Sequence, residues 1–486
     1  RRFKSYDGCH DRQSEDLWGY DRGHETSKSA LVNFKDTIIA LATPSGVGAI
    51  GVIRLSGEEA IRLTNEVFFP KDLTKQASHT IHYGRIEAHG NVYDEVLVSL
   101  FIGPHSYTKE HVIEISCHGS PFIQERIIQL FVEKGARLAQ PGEFTQRAFM
   151  HGAFDLAQAE AVADVIAADS LVAQQAALHQ LRGGFSKELA LLREQLIHFA
   201  SLIELELDFG EEDVEFADRK DLEALVSALL SAINPLVDSF KTGNAIRNGV
   251  ATVIVGKPNA GKSTLLNALL NEERAIVSDI AGTTRDSLED QWTLGGIKFR
   301  LVDTAGLRET EDVIEAMGVE RTQAWVKKAQ VVLYMVDATQ ESTDSLKAAL
   351  EKLGVLDIPL LLILNKVDQI SAEALAAWRS EWPDMVFISA KNRIGLADLE
   401  KALLDQVGIH QVSSNATLVT NVRHYQHLLQ TQKTLYSVLS GLQKGLTGDL
   451  IAQELRYALH DLGEITGHIS NDDLLKNIFG KFCIGK

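Results

Sequence analysis

The spacing of apolar residues along the chain predicts two structural classes. In residues 36–151, short alternating runs predict strands at 37–41, 50–55, 96–101 and 112–117, and an amphipathic stretch predicts a helix at 121–134. In residues 155–243 and again in 417–482, leucines and other apolar residues recur at three- and four-residue steps, which is typical of helices with one buried face. The pattern therefore predicts an N-terminal α+β domain and two separate helical blocks.

Between the helical blocks, apolar strands alternate with helical stretches, which predicts an α/β domain at residues 249–410. Neither helical block makes a bundle alone, so we expect the two to pack into one discontinuous helical domain around the inserted α/β domain. The first 33 residues are polar and have no apolar period, and we expect them to be a disordered extension. The expected divisions are 1–33, 34–151, 152–248, 249–410 and 411–486.

Composition narrows the class of protein. The 486 residues are 45% hydrophobic and 23% charged, as in globular proteins, and no apolar run approaches the roughly 20 residues that span a bilayer. The three cysteines (Cys9, Cys117, Cys483) are far apart and odd in number, which favours a reducing cytoplasm over a disulfide framework. The net charge of −18 opposes direct contact with nucleic acid, so an RNA substrate would need a small basic face or a partner protein.

Residues 256–263 read Gly-Lys-Pro-Asn-Ala-Gly-Lys-Ser, a complete phosphate-binding loop between a predicted strand and a predicted helix. Backbone N–H groups of such a loop point at phosphate, Lys262 reaches the β- and γ-phosphates, and the Ser263 hydroxyl coordinates Mg²⁺. The expected phosphate contacts are Asn259, Ala260, Gly261, Lys262, Ser263 and Thr264.

Three further motifs follow predicted strands in the order that a guanine-nucleotide site requires. Asp303 would hold Mg²⁺ through water. The Asp368 carboxylate would accept hydrogen bonds from guanine N1–H and the 2-amino group, two donors that adenine lacks. The expected contacts of the three motifs are Asp303, Thr304, Ala305 and Gly306, then Asn365, Lys366 and Asp368, then Ser389, Ala390 and Lys391. The α/β domain is therefore predicted to be a Ras-like P-loop G domain, with a mixed, mostly parallel sheet and helices on both faces.

Residues 279–286, Asp-Ile-Ala-Gly-Thr-Thr-Arg-Asp, fit a first switch region, with Thr284 as the second protein ligand of Mg²⁺. The residue after Gly306 is Leu307, where small G proteins place a glutamine that orients the attacking water. Leucine cannot do this. The candidates that could orient the water and stabilise charge instead are Glu315, Arg285, Arg308 and a bound cation.

The sequence resembles the MnmE (TrmE) family of tRNA-modifying GTPases from about residue 36 to residue 486. The resemblance rests on the phosphate-binding loop, on residues 279–286, on Asp-Thr-Ala-Gly-Leu-Arg at 303–308, on Pro-Gly-Glu-Phe-Thr-Gln-Arg-Ala-Phe at 141–149, and on the terminal Phe-Cys-Ile-Gly-Lys. The G-domain motifs alone also fit ribosome-assembly GTPases. A regulatory GTPase switch without modification chemistry is therefore the alternative.

The resemblance implies a potassium-dependent GTPase whose G domains dimerise across the nucleotides. It assigns the potassium ligands to Asn259, Ser278, Ile280 and Thr283, and it adds Ser278, Thr283 and Thr284 to the GTP contacts. It also implies that Glu315 orients the attacking water, so that Glu315, Thr284 and Lys262 form the catalytic set.

The resemblance further implies a cytoplasmic homodimer, built through N-terminal domains that bind a tetrahydrofolate derivative in its 5-formyl or methylene form. The folate positions are Arg54, Glu114, Lys486 and Ala153, and Ala153 stands where the family usually has lysine. With an MnmG-type FAD flavoprotein, in a heterotetramer, the family adds a carboxymethylaminomethyl-type group to C5 of the wobble uridine of certain tRNAs. Two interpretations of Cys483 are open: a small apolar residue that is buried in the last helix, or a residue whose thiol takes part in the chemistry.

Overall fold

The computed structural model describes residues 36–208, 219–270, 291–301, 329–353, 358–408, 417–470 and 472–485. The predicted extension at 1–33 lies outside these ranges. In the N-terminal domain seven strands form one sheet in the order β3-β4-β5-β6-β2-β1-β7, and all neighbours are antiparallel except β1 and β7. The strands are β1 Ile38–Leu41, β2 Ile50–Ser56, β3 Phe68–Phe69, β4 Thr80–Ala88, β5 Asn91–Phe101, β6 Val112–His118 and β7 Arg137–Leu138.

Three helices accompany this sheet: α1 Ala60–Asn65, α2 Pro121–Glu133 and α3 Glu143–Met150. Ile127 and Phe131 of α2 are buried in one core with Ile53 and Leu55 of β2. Because side chains alternate along a strand, Arg54, between these two residues, faces the opposite side of the sheet. The four predicted strands and the predicted helix are confirmed, whereas β4 and α3 were not predicted.

The first helical block contains α4 Leu156–Ala167, α5 Leu171–Leu181, α6 Gly184–Asp208 and α7 Arg219–Asn248. In the described part of the chain α7 is the one helix whose length and composition would allow it to cross a membrane. Its Val226, Leu229 and Ile233 are instead buried against other helices of this protein. We therefore interpret α7 as a core helix.

The G domain has a six-stranded sheet in the order β13-β12-β11-β8-β10-β9, parallel except for the antiparallel pair β9 and β10. Its elements are β8 Val250–Gly256, α8 Lys262–Leu270, β9 Gln291–Leu294, β10 Ile297–Leu301, β11 Val331–Asp337, α9 Thr343–Leu353, β12 Leu360–Asn365, α10 Ala372–Glu381, β13 Val386–Phe387 and α11 Leu396–Val407. Leu265 and Leu399 lie in the core on one face, and Leu346 and Trp378 lie in the core on the other. The predicted mixed sheet with helices on both faces is confirmed.

The second helical block contains α12 Val422–Lys444, α13 Gly448–Thr466 and α14 Asp472–Phe479. Leu428 of α12 and Leu455 of α13 share one core with Leu196 of α6 and Ile233 of α7. The two blocks therefore form one discontinuous helical domain, as predicted. Helix α14 packs elsewhere, with Phe479 against Leu156 and Ala159 of α4, so the end of the chain is carried back toward the N-terminal domain.

Helix α5 contacts the G domain although it belongs to the first helical block by sequence. Ala173 is buried in the core of the G-domain sheet, and Val172 packs against the same core. Just before α5, Asp169 forms an ion pair with Lys298 of β10. The two domains therefore share both apolar and ionic contacts along this segment.

Candidate functional site

The phosphate-binding loop joins the end of β8 to the start of α8 at the carboxyl edge of the G-domain sheet. Asn259 has a left-handed backbone with φ of 61° and is exposed. Gly261 has φ of 98°, and a Cβ there would lie 2.2 Å from Nδ2 of Asn365. Only glycine suits this position, because a side chain would displace Asn365 and strain the backbone.

Lys262 is the first residue of α8, and its side chain turns back into the loop. Its Nζ donates hydrogen bonds of 2.9 Å to the carbonyl oxygens of Gly256 and Lys257, and burial lowers the pKa of Lys262. The neighbouring Ser263 and Thr264 are exposed at the N-terminus of α8. An ammonium group and the free N–H groups of a helix start thus lie together, an arrangement that favours a bound anion.

Asn365 connects this loop to the segment at 389–391. Its side chain is buried at the end of β12, its Nδ2 donates to the Ala260 carbonyl oxygen at 2.8 Å, and its Oδ1 accepts from the Ala390 backbone N–H at 3.0 Å. The Ser389 hydroxyl is buried and accepts from the Asn392 N–H at 3.3 Å. The structure therefore brings together three of the four predicted motifs.

Lys366 and Asp368 follow Asn365 in a tight turn. Lys366 has φ of 64°, and its Nζ lies 2.6 Å from Oδ2 of Asp337 at the end of β11. Asp368 lies in the short 3-10 helix Val367–Gln369 and is exposed, so its carboxylate is accessible to a base. Asp337 was not predicted as a site residue, because a single acidic residue at a strand end is not a motif.

Several predicted site residues lie outside the described ranges. They are Ser278, Ile280, Thr283, Thr284, Asp303, Thr304, Ala305, Gly306, Glu315 and Lys486. Within the described ranges no group of three or more His, Cys, Asp or Glu side chains could hold a metal ion. The Ser263 hydroxyl fits the predicted Mg²⁺ and the Asn259 side-chain oxygen fits the predicted K⁺, because both cations prefer oxygen ligands.

A second site lies in the N-terminal domain, on the sheet face that carries Arg54. Arg54 is paired across β2 and β6 with Glu114, and two of its guanidinium nitrogens lie 2.9 and 2.8 Å from Oε1 of Glu114. The centroids of the Tyr107 and Phe144 rings lie 5.5 and 5.7 Å from the guanidinium carbon. The charged groups of Arg54 and Glu114 therefore lie beside flat aromatic rings.

The C-terminal tail completes this second site. Arg54 donates a hydrogen bond of 3.3 Å to the carbonyl oxygen of Gly485, a residue 431 positions away. Gly485 has φ of 95°, and a Cβ there would lie 2.2 Å from the Leu41 carbonyl oxygen, so the tail approaches β1 closely. Cys483 is exposed, which excludes its reading as a buried apolar residue.

Ala153 lies in the turn that follows α3. It is half-buried, and its N–H donates to the Ala148 carbonyl oxygen at 2.7 Å. Lys109 donates to the carbonyl oxygen of Gly152 at 2.6 Å, and His151 lies 2.8 Å from the Thr108 carbonyl oxygen. The ammonium group of Lys109 therefore lies beside this turn, although residue 153 itself carries no ammonium group.

Comparison with known proteins gives matches along nearly the whole chain. A model of the MnmE helical domain matches residues 156–483, and a model of the GTP-binding protein TrmE N-terminus matches residues 37–153. The chain is 55% identical over 460 residues to the tRNA modification GTPase MnmE of Cytophaga hutchinsonii, covering 95% of this chain and 100% of that protein. It is 52% identical to the MnmE of Flavobacterium psychrophilum, covering 93% of this chain and 100% of that one.

Solved structures match a smaller part of the chain. Era of Aquifex aeolicus is 27% identical, with a TM-score of 0.26, and the match covers 38% of this chain and 66% of that one. The G domain of FeoB from Methanococcus jannaschii is also 27% identical, with a TM-score of 0.24, over 33% of this chain and 97% of that one.

We expect Asp368→Asn to weaken GTP binding by about a hundredfold or more, because the amide offers a donor where guanine also offers donors. The same change should improve the binding of xanthosine triphosphate, whose base has an oxygen in place of the 2-amino group. Competition for a fluorescent guanine nucleotide measures both effects. Asp384→Asn, another exposed aspartate of the G domain, is the control. Unchanged preference between the two bases in Asp368→Asn would refute the role of Asp368.

Proposed function

The chain belongs to the MnmE family of tRNA modification GTPases, and we propose that it is a potassium-activated member that modifies the wobble uridine. GTP hydrolysis in tRNA modification follows from this membership. The proposal adds that the protein acts in the cytoplasm with an MnmG-type FAD flavoprotein, in a heterotetramer, and that a carboxymethylaminomethyl-type group is added at C5. The observation that carries the proposed modification chemistry is the contact between the C-terminal tail and Arg54 at the second site.

We assign guanine-nucleotide binding to the loop at 256–264, Asn365, Asp368 and the segment at 389–391. The convergence of these segments on Asn365 supports the assignment, since its amide contacts both the phosphate-binding loop and the 389–391 segment. The Asp368 carboxylate is exposed and is therefore accessible to the donors of a guanine base. The Mg²⁺ ligands would be Ser263 and Thr284, and the cation would supply positive charge that stabilises the phosphates during hydrolysis.

We assign the second site to a tetrahydrofolate derivative, which would supply a one-carbon unit to the modification. The guanidinium of Arg54, the Glu114 carboxylate and the rings of Tyr107 and Phe144 support this, because a pterin is flat and has donors and acceptors at its edge. Arg54, Glu114, Ala153 and Lys486 would hold it. A GTPase that served only as a switch would have no need for such a site.

We propose that two copies associate through their N-terminal domains. Ile81 and Tyr83 of β4 and Leu97 of β5 are exposed on one face of the sheet, and Tyr83 lies opposite Leu97 in the register of the two strands. Neighbouring exposed apolar side chains of this size commonly mark protein–protein contacts. Because these exposed apolar side chains lie on the sheet of the N-terminal domain, they support the homodimer that the family resemblance implies.

Arg54→Met should abolish modification of the wobble uridine while GTP hydrolysis is retained, because the change removes the charge from the second site and leaves the G domain intact. Mass spectrometry of tRNA nucleosides from a complemented deletion strain measures modification, and phosphate release measures hydrolysis. Arg85→Met on β4, whose exposed guanidinium pairs with half-buried Glu87, is the matched control. Normal modification in Arg54→Met would exclude the proposed role of the site.

The same deletion strain tests the position of the modification. A strain that lacks the C5 modification of the wobble uridine would support the proposal, and a strain with fully modified wobble uridine would contradict it.

We expect GTP turnover to be about tenfold or more higher in potassium than in sodium, because a cation beside the phosphates replaces the stabilising charge that Leu307 cannot supply. Sodium is too small for the same set of ligands. The exposed, left-handed Asn259 in the phosphate-binding loop motivates the assignment. Asn259→Ala should lose the difference between the two salts. Equal rates of the unaltered protein in both salts would instead direct attention to Arg285 or Arg308.

Glu315 is proposed to hold the attacking water, so Glu315→Ala should slow single-turnover hydrolysis roughly a hundredfold or more. Its GTP affinity should be nearly unchanged, because no contact with bound GTP is removed. Glu311→Ala is the control from the same segment. Equal and mild effects of the two changes would show that a different group orients the water.

A further inference from the structure

Asp337 is a buried acidic residue whose side chain contacts a lysine of the proposed nucleotide site. It is the last residue of β11 and is 5% exposed. Its Oδ2 lies 2.6 Å from Nζ of Lys366, and its Oδ1 accepts from the N–H of Thr339 at 2.9 Å and from the hydroxyl of Thr339 at 2.7 Å. Every one of these contacts favours the ionised carboxylate.

The charge state of Asp337 follows from these contacts. Burial alone would raise the pKa of Asp337, but the hydrogen bonds and charge from Lys366 and Thr339 outweigh it and hold the pKa below its ordinary value. Asp337 is therefore ionised when the protein works near neutral pH. It provides a fixed negative charge beside a lysine of the guanine-binding segment.

Lys366 has an unfavourable backbone conformation. Its φ of 64° lies in the left-handed region, where a residue with a Cβ is stable only if its surroundings hold it. The ion pair with Asp337 supplies such a restraint at the side chain. Because Asp368 follows two residues later, the conformation at Lys366 sets the direction in which the Asp368 carboxylate is presented.

The segment after Asp337 also reaches the phosphate-binding loop. Glu341, which is 8% exposed at its side chain, lies 2.5 Å from Nζ of Lys257, and the Ser345 hydroxyl lies 3.1 Å from the same nitrogen. The N–H of Ala338 donates to the Asn365 carbonyl oxygen at 3.0 Å. Asp337 and Ala338 therefore contact the 365–368 segment, and Glu341 and Ser345 contact the phosphate-binding loop.

We propose that Asp337 is a positioning residue for guanine-nucleotide binding, acting through Lys366 to hold the 365–368 segment in the conformation that presents Asp368. This inference rests on the guanine-nucleotide site proposed above. Both carboxylate oxygens of Asp337 are engaged, one by Lys366 and the other by Thr339, so Asp337 is assigned no contact with the nucleotide itself. Its contribution should therefore appear in binding, while the rate of the chemical step stays the same.

Asp337→Asn tests this proposal because asparagine keeps the shape and an oxygen that can accept from Thr339, but removes the charge and places an amide donor where Lys366 requires an acceptor. We expect KM for GTP and Kd for a fluorescent GDP to rise about tenfold or more, the usual effect of losing a charged hydrogen bond, with kcat unchanged. Asp344→Asn, an exposed aspartate in the first turn of α9, is the matched control and should change neither.

A double-mutant cycle with Lys366→Met distinguishes positioning from a general structural role. If Asp337 acts through Lys366, the double variant should bind GDP no more weakly than Lys366→Met alone, and the loss of affinity in Asp337→Asn should exceed what any fall of its Tm without nucleotide accounts for. Additive losses of affinity, or a lower Tm of Asp337→Asn that accounts for its weaker binding, would overturn the proposal. Unaltered protein that binds no guanine nucleotide would overturn the nucleotide site itself, a separate result.

Discussion

One buried carboxylate, Glu160 of α4, joins the two helical blocks that the G domain separates in the sequence. Its oxygens lie 2.7 Å from Nη2 of Arg423, 2.6 Å from Nε2 of His424 and 3.0 Å from Nδ2 of Asn421. Burial alone would raise the pKa of Glu160, but the positive charge beside it holds the pKa below its usual value. In proteins generally, removing one partner of such a pair costs about 3–5 kcal/mol because the other charge is left buried and unpaired, so loss of Arg423 or Glu160 should weaken the contact between the blocks.

This junction also explains how a whole domain can be inserted without opening the helical domain. The Thr242 hydroxyl near the end of α7 donates to the carbonyl oxygen of Val407 at the end of α11, at 3.0 Å. The chain therefore enters and leaves the G domain at neighbouring points. With the second block fixed against the first, α14 reaches α4, and the tail beyond α14 reaches Arg54. The second site thus depends on the closure of the helical domain.

The sequence predicted those features that depend on neighbours in the chain. The phosphate-binding loop was located from the order of its residues alone, and β2 and β6 from their alternation. Strand β4 was missed because its pattern is inverted: His82 and Gly84 are buried, while Ile81 and Tyr83 are exposed. The burial of Ala173 in the G-domain core could not be predicted either, because a helical period shows which face is apolar and not which domain that face meets.

The N-terminal site required more than local pattern. The pairing of Arg54 with Glu114 depends on strand register, and the contact with Gly485 joins residues 431 positions apart. Only the resemblance to a family indicated that these residues belong together. Asp337 was not indicated by either route, because its partner Lys366 lies on a different strand end, and the ion pair exists only once β11 and β12 are aligned.

The charges around the nucleotide site bear on how hydrolysis is stabilised. Of the lysines at 257, 262 and 366, the first is paired with Glu341 and the last with Asp337, whereas Lys262 contacts only neutral carbonyl oxygens among its described hydrogen bonds. Two of the three positive charges are thus largely compensated before a nucleotide binds. Charge that develops on the phosphates during hydrolysis would meet one uncompensated ammonium from this set. This charge balance favours the proposal that a second cation, either a metal ion or an arginine of the switch regions, stabilises the charge during hydrolysis.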